Sequence, residues 1–207
     1  MHHNVILNDV YREKYAKTIE YFYEKFPTLM QRKIPRANIQ QAWMYNKVLE
    51  FSNTDSHVLC VGNHEDTAYY ALRSKMPNLI GIDPLFDYDL ASYRQQTPQK
   101  FNIVFSTSVI EHVVDDESFI ADMCAMLNDN GVGIITCDFN DDYPNVPKPL
   151  VDVRLYTSYD LTVRIPAVLQ QYNCTVLGDF EYHNNIDFEY EGCRYGFATL
   201  TFRKDAM

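Results

Sequence analysis

Val58–Pro84, VLCVGNHEDTAYYALRSKMPNLIGIDP, is the stretch whose reading decides the fold. Val58 to Val61 is an apolar run of strand length that stops at Gly62, and Asn63, His64, Glu65 and Asp66 form a polar loop. Thr67 to Lys75 then has helical period, and Leu79 to Ile82 is a second short apolar run ending at Asp83. Strand, glycine turn, helix and parallel strand make one step of an open α/β sheet. Ligands of such sheets sit outside the carboxyl ends of the strands. An acid about twenty residues after the glycine turn is placed to accept both hydroxyls of a ribose.

Upstream, residues 9–26 carry Tyr11, Tyr15, Ile19, Phe22 and Phe26 at helical spacing, and Pro27 ends the run. A second helix is expected over Ala37–Phe51. Between them Arg32-Lys33-Ile34-Pro35-Arg36 is the most basic piece of the chain. Residues 1–52 therefore read as a helical cap, which either covers the sheet edge or acts as a lid with Arg36 facing a carboxylate.

Downstream, Phe86–Leu90 reads as a short third strand, Ala91–Gln99 as a polar helix or loop, and Phe101–Phe105 as a buried strand ending at Ser106-Thr107-Ser108. Asp115–Leu127 is an amphipathic helix with Phe119, Ile120, Met123 and Leu127 on one face. Asn130-Gly131 closes it before the strand Val132–Cys137, and Asp138–Pro149 is a turn-rich loop. Ser158–Tyr172 is a helix that Pro166 kinks or breaks; Cys174–Tyr182 and Tyr195–Phe202 are the last strands, joined by a polar linker, His183–Cys193. The expected architecture is α/β: a Rossmann-like, mostly parallel seven-stranded sheet with helices on both faces, an antiparallel last strand and an N-terminal helical lid. It forms one domain over 1–207, with the core at 53–207.

The 207 residues suffice for one well-formed core, and 46% apolar residues mark a folded chain. A net charge of −10 with no Lys/Arg cluster argues against a nucleic-acid partner. The five cysteines form no CxxC pair and four lie in apolar runs, as buried free thiols in a reducing compartment do. No segment has the length of a membrane span or the apolar core of a signal peptide, so a soluble, cytoplasmic protein is expected.

The order of five β/α steps followed by a terminal strand pair resembles the class I S-adenosylmethionine-dependent methyltransferases over about residues 36–203. Phe101–Asn140 looks like the family's strand, "EHV" turn, acidic helix start, L-x-x-x-G and final strand. Arg154-Leu155-Tyr156-Thr157 with Asp160-Leu161 looks like its R-x-Y-T-x-x-D-L helix opening. In the first motif, where members show an acid and then Gly-x-Gly, this chain has Cys60, Gly62 and His64. The resemblance implies S-adenosylmethionine as cofactor and S-adenosylhomocysteine as product. It puts the ribose on Asp83 beside Pro84 (helix capping is the competing role) and the adenine amine on Asp89 beside Leu90 (a surface turn competes). Ser106 and Thr107 would line the sulfonium, Gly62, Asn63 and His64 would flank the amino-acid end, and Arg36 would hold its carboxylate.

On the acceptor side, methyl transfer needs alignment, and a hydroxyl acceptor also needs a base or a metal. His112 is the expected base, though it can equally just hydrogen-bond its turn, and Glu111 would orient it or grip the acceptor. Ser108-Val109-Ile110-Glu111-His112 also resembles the E-x-x-E-H of metal-dependent O-methyltransferases with the first acid lost. Glu111 and His112, with Asp138 or else Asp141 and Asp142 replacing the lost acid, would then hold Mg²⁺ or Mn²⁺. Asp141-Asp142-Tyr143 resembles the "DDY" of macrolide-sugar O-methyltransferases, and with Arg154 and Tyr156 it would bind acceptor. Sixteen tyrosines amid Asp, Asn and Arg suit a sugar or other small polyhydroxylated acceptor. O-methylation of a sugar or glycan is thus the expected function. A quinone or natural-product methyltransferase, or a non-catalytic scaffold that keeps the fold, are the alternatives.

Overall fold

The computed structural model describes residues 3–146, 152–182, 186 and 188–206. Four parallel strands form its centre: β2 (Val58–Val61), β3 (Leu79–Ile82), β4 (Phe101–Thr107) and β5 (Leu127–Phe139). The last long strand, β9 (Cys193–Lys204), runs antiparallel to β5, and β6 (Cys174–Val176) runs antiparallel to β9. The sheet order is β3-β2-β4-β5-β9-β6, with β8 (Phe188–Tyr190) as a seventh strand hairpinned onto β9. A two-stranded parallel ribbon, β1 (Asn4–Val5) with β7 (Phe180–Glu181), is a separate ladder held against β9 by Val5 N–H to Thr199 and Thr201 N–H to Asn4.

The central strands read as unbroken apolar runs because both faces are covered. Against one face, Cys60, Ile103, Phe105 and Ile134 pack on α4 (Asn38–Phe51) and α5 (Thr67–Leu72), where Trp43, Met44, Val48, Ala68 and Leu72 are fully buried. Against the other, Leu59, Val104 and Ile135 pack on α6 (Leu90–Gln96), α7 (Asp116–Met126) and α8 (Ile165–Gln171). The cap of α1 (Asp9–Lys14), α2 (Ala16–Lys25) and α3 (Pro27–Arg32) lies over α4, which explains why α4 is buried nearly all round. Among the described residues no helix is long and apolar enough to cross a membrane.

Several elements differ from expectation. Pro27 does end the first helical run, but it also opens α3 from its first turn, where its missing N–H costs nothing. Phe86–Leu90 is not a strand: Asp83 N–H donates to Asp87 Oδ1, and Asp89 caps α6 through Ser92 N–H, so the acids fold the segment into turns. β5 is longer than expected and includes Asp138. Between Tyr159 and α8, Asp160–Arg164 is a π-helical turn, so Pro166 sits where a wide turn tightens into α-helix. Parts of the expected loop (147–149) and linker (183–185 and 187) lie outside the described residues.

Gly133 pairs with Phe202 across β5 and β9, and a Cβ there would stand 2.1 Å from the Phe202 ring. Gly133→Ala is expected to cost roughly 1–3 kcal/mol by overpacking, measured by urea unfolding. A change within experimental error would mean the ring is free to move aside.

Candidate active site

The glycine turn follows β2. Gly62 has φ +81°, and a Cβ would lie 2.4 Å from Val109 Cγ2, so both backbone and space demand glycine. His64 occupies the position of the family's second glycine without strain. Its backbone N–H donates to Asp83 Oδ2 (3.0 Å), while its ring stands edge-on to Phe86 at 5.1 Å. Asp83 Oδ1 accepts from Leu85 N–H at 3.0 Å. The carboxylate is thus aimed by two backbone donors, with a lone pair left on each oxygen.

Beside Asp83 lies a mostly apolar cleft of about 300 Å³ lined by Val61, Gly62, Pro84, Leu90, Val109 and Phe119, among others, with Asp89 at its edge. This volume is at the lower end for small-molecule sites. Of the expected cofactor residues, Gly62, Pro84, Asp89 and Leu90 meet here. Asn63 packs over Gly81 beside Tyr69. Ser106 turns into the sheet and donates to the Val61 carbonyl, whereas Thr107 faces the opposite side, towards Asp66. Asp66 caps α5. Burial raises its carboxyl pKa, against hydrogen bonding from Tyr69 N–H and the charge of Lys33. Asp66 Oδ2 and Thr107 Oγ1 are buried, close together, and outside hydrogen-bonding geometry. A nucleoside fits the cleft beside the Asp83 carboxylate; Asp66 and Thr107 do not line that cleft.

The basic stretch faces the turn through other residues than expected. Arg32 pairs with Glu65, and Lys33, its pKa lowered by burial, lies near Asp66 and Glu65. Arg36 instead pairs with Asp9 of α1 at 3.0 Å.

At the ends of β4 and β5 sit two buried acids, Glu111 and Asp138, which are 2% and 8% exposed. Burial pushes Glu111 up to about 7, against hydrogen bonds from its own N–H, the Ser108 hydroxyl and Asp138 N–H. Burial, and then the charge of Glu111, raise Asp138 as well. Two such neighbours do not both ionise easily. Ser108, at φ +53°, also accepts from Gln40 Nε2 of α4 at 2.6 Å. His112 is exposed, and no hydrogen bond joins it to Glu111. Of the two residues expected to act on the acceptor, Glu111 turns inward and His112 outward. Among the described residues no three His, Cys, Asp or Glu side chains converge as metal ligands, so Glu111, His112 and Asp138 do not form the expected metal set.

Arg154 and Tyr156, expected on the acceptor, are committed elsewhere. Arg154 bonds Asp160 at 2.7 Å, and the fully buried Tyr156 donates to Asp116 at 2.9 Å. Arg164 bridges both acids, with 2.7 Å contacts to each. Burial alone would raise Asp116 and Asp160, but hydrogen bonds from Arg164 in particular outweigh it and hold both below the usual carboxylate range. Asp141 caps Ser158 through its N–H and hydroxyl. Asp141 and Asp142, but not Tyr143, line a second, polar cleft of about 750 Å³ with Asn140, Asn145, Glu189 and Arg194. No aromatic ring lines it among the described residues, so the tyrosines expected to stack on a sugar are not there.

The acid pair has a stability signature. Because Glu111 is raised in the folded state, its contribution is fully present below the unfolded pKa and is lost as pH rises through about 7. Glu111→Gln should therefore gain stability relative to wild type between pH 5 and pH 8, on the order of 1–3 kcal/mol. Parallel urea titrations across that range check it; a gain that does not grow with pH would show that Glu111 is not raised.

No family model matches the chain, and no curated protein matches it in sequence. Solved structures do match. The 1,6-didemethyltoxoflavin-N1-methyltransferase of Burkholderia thailandensis, solved with 1,6-didemethyltoxoflavin and S-adenosylhomocysteine bound, is 13% identical with a TM-score of 0.57, over 94% of this chain and 90% of that one. An O-methyltransferase family protein of the same organism is 11% identical with a TM-score of 0.52, over 93% and 71%. The [4+2]-cyclase SpnF is 13% identical with a TM-score of 0.56, over 85% and 86%. At these identities the likeness establishes the fold: this is the Rossmann-like α/β fold of solved methyltransferases.

Proposed function

We propose that the protein is an S-adenosylmethionine-dependent methyltransferase for a small polar acceptor, residues 1–207 working as one unit. The observation that carries this reading is Asp83, held by His64 and Leu85 N–H groups beside a nucleoside-sized apolar cleft on a fold shared with methyltransferases. A neighbour of that fold is solved with S-adenosylhomocysteine and a small heterocycle bound, which favours both the cofactor and the size of acceptor. When bound, S-adenosylmethionine supplies a methyl group on a sulfonium. In this chain Asp83 would take the ribose hydroxyls and Asp89 the adenine amine. Asp66 and Thr107 would take the amino-acid end with Lys33 near its carboxylate, and Glu111 would receive the acceptor's proton. The composition favoured a sugar hydroxyl as acceptor. The 750 Å³ cleft would bind a sugar through amides and carboxylates rather than rings.

Calorimetric titration with S-adenosylmethionine and S-adenosylhomocysteine tests the proposal. One-to-one binding of both is expected, and Asp83→Ala should weaken it by about tenfold or more, the size of a hydrogen bond to a charged group. Absence of binding would leave a scaffold that retains only the fold. Unchanged affinity in the variant would move the nucleoside to another site.

A further inference from the structure

Gln40 Nε2 donates to the Ser108 hydroxyl at 2.6 Å. This orientation leaves Gln40 Oε1 without a partner, and Glu111 Oε2 has none either, although both residues are only 2% exposed. Asp138 stands against Glu111, and among the described residues no Lys, Arg or His side chain pairs with either carboxyl. Gln40 Oε1 is an acceptor, Glu111 Oε2 is one when its carboxyl is ionised, and the acid pair is negative once either member ionises. Buried acceptors left open carry a desolvation cost that a donating ligand removes.

The number of donors decides what fits. A hydroxyl brings one proton and no charge, and satisfies one of the two orphaned acceptors, Gln40 Oε1 or Glu111 Oε2. An ammonium brings three protons and a positive charge, so it meets both and has a third N–H for the neighbouring Asp138. Resting on the methyltransferase reading, we infer that the acceptor is an amine, bound as its ammonium between Glu111, Asp138 and Gln40 at the ends of β4 and β5. For transfer the ammonium passes one proton to the Glu111 carboxylate, which frees the nitrogen lone pair. The nitrogen forms the new N–C bond as the methyl C–S bond breaks, its electron pair going to sulfur. The products are a methylated ammonium and a neutral thioether.

The test uses the full chain with ¹³C-labelled side chains and three probes of similar size. Methylammonium chloride carries charge and donors, tetramethylammonium chloride carries charge alone, and methanol carries one donor. Methylammonium is expected to shift the Glu111 and Asp138 carboxyl resonances saturably, about tenfold or more tighter than either control, as loss of one charged hydrogen bond requires. Glu111→Gln should lose that preference, and Asp138→Asn provides the same reading should the first variant not fold. Equal responses to methanol and methylammonium, or none to methylammonium, overturn the inference. Titrating S-adenosylhomocysteine into the same samples separates the two readings. If it binds while methylammonium does not, the amine acceptor alone fails. If methylammonium binds while it does not, the cation site stands and the inferred methyl acceptor falls with the cofactor.

Discussion

β4 stops at Thr107, opposite Thr136, while β5 continues to Phe139. The extra residues of β5 stay paired with β9, and past the end of β4 Tyr156 takes over the other side, its N–H donating to the Asp138 carbonyl and its carbonyl accepting from Asn140 N–H. Glu111 is brought inside at this strand end, beside Asp138. The local backbone is shaped around it. Ser108 takes a left-handed conformation, Ile110–His112 tightens into a 3-10 turn, and α4 contributes Gln40 to complete Ser108. The point where β4 ends and Tyr156 takes over thus holds two buried carboxyls, Glu111 and Asp138.

The central sheet was legible because parallel strands buried on both faces have a composition of their own, as in Val58–Val61 and Phe101–Phe105. The segment after Asp83 was misread because Phe86, Tyr88 and Leu90 suggest a strand by alternation. The deciding groups are Asp87 and Asp89, whose side chains take backbone N–H groups and so compete with the ladder. Arg154 and Tyr156 had a signal that pointed away from an acceptor role. Thr157-Ser158-Tyr159-Asp160 is a capping box with Asp in place of Glu, and Thr157 N–H and Asp160 N–H do exchange side-chain bonds at 3.0 and 3.2 Å. That motif fixes the helix start on which the Arg164 network is built. Which of Glu111 and His112 turns inward was not legible, since a 3-10 turn has neither helical nor strand periodicity. Gln40 had no signal at all, because its partner lies 68 residues away.

Cys60 and His64, where the stretch departs from the methyltransferase motif it resembles, have local causes. Cys60 is wholly buried and its thiol pKa is raised, by burial first and then by the charges of Asp66 and Asp83. A carboxylate at that position would be a third buried negative charge beside those two, and a small neutral side chain avoids it. His64 needs no glycine because the left-handed residue of this loop is the next one, Glu65, at φ +57°. Glu65 is then held by Arg32 from the cap. The glycine content of the turn is reduced because its backbone demands fall on one glycine and one anchored glutamate.

That anchoring changes the role of the N-terminal helices. A lid must separate from what it covers at low cost. Here Gln41 Oε1 accepts from Ala68 N–H, Gln40 donates to Ser108, Arg32 pairs with Glu65, and the Trp43 ring is wholly buried in the core. Before the cap, Val5 N–H donates to Thr199 and Leu7 N–H to the Phe197 carbonyl, so the chain start is stitched onto β9. Lifting α4 would expose Ile39, Ala42, Met44 and Val48 together with Trp43, and strip two buried polar groups of their partners. The N-terminal helices are therefore tied to the sheet by polar bonds as well as by apolar packing, and Gln40 is held against Ser108 by the same contacts that bury α4.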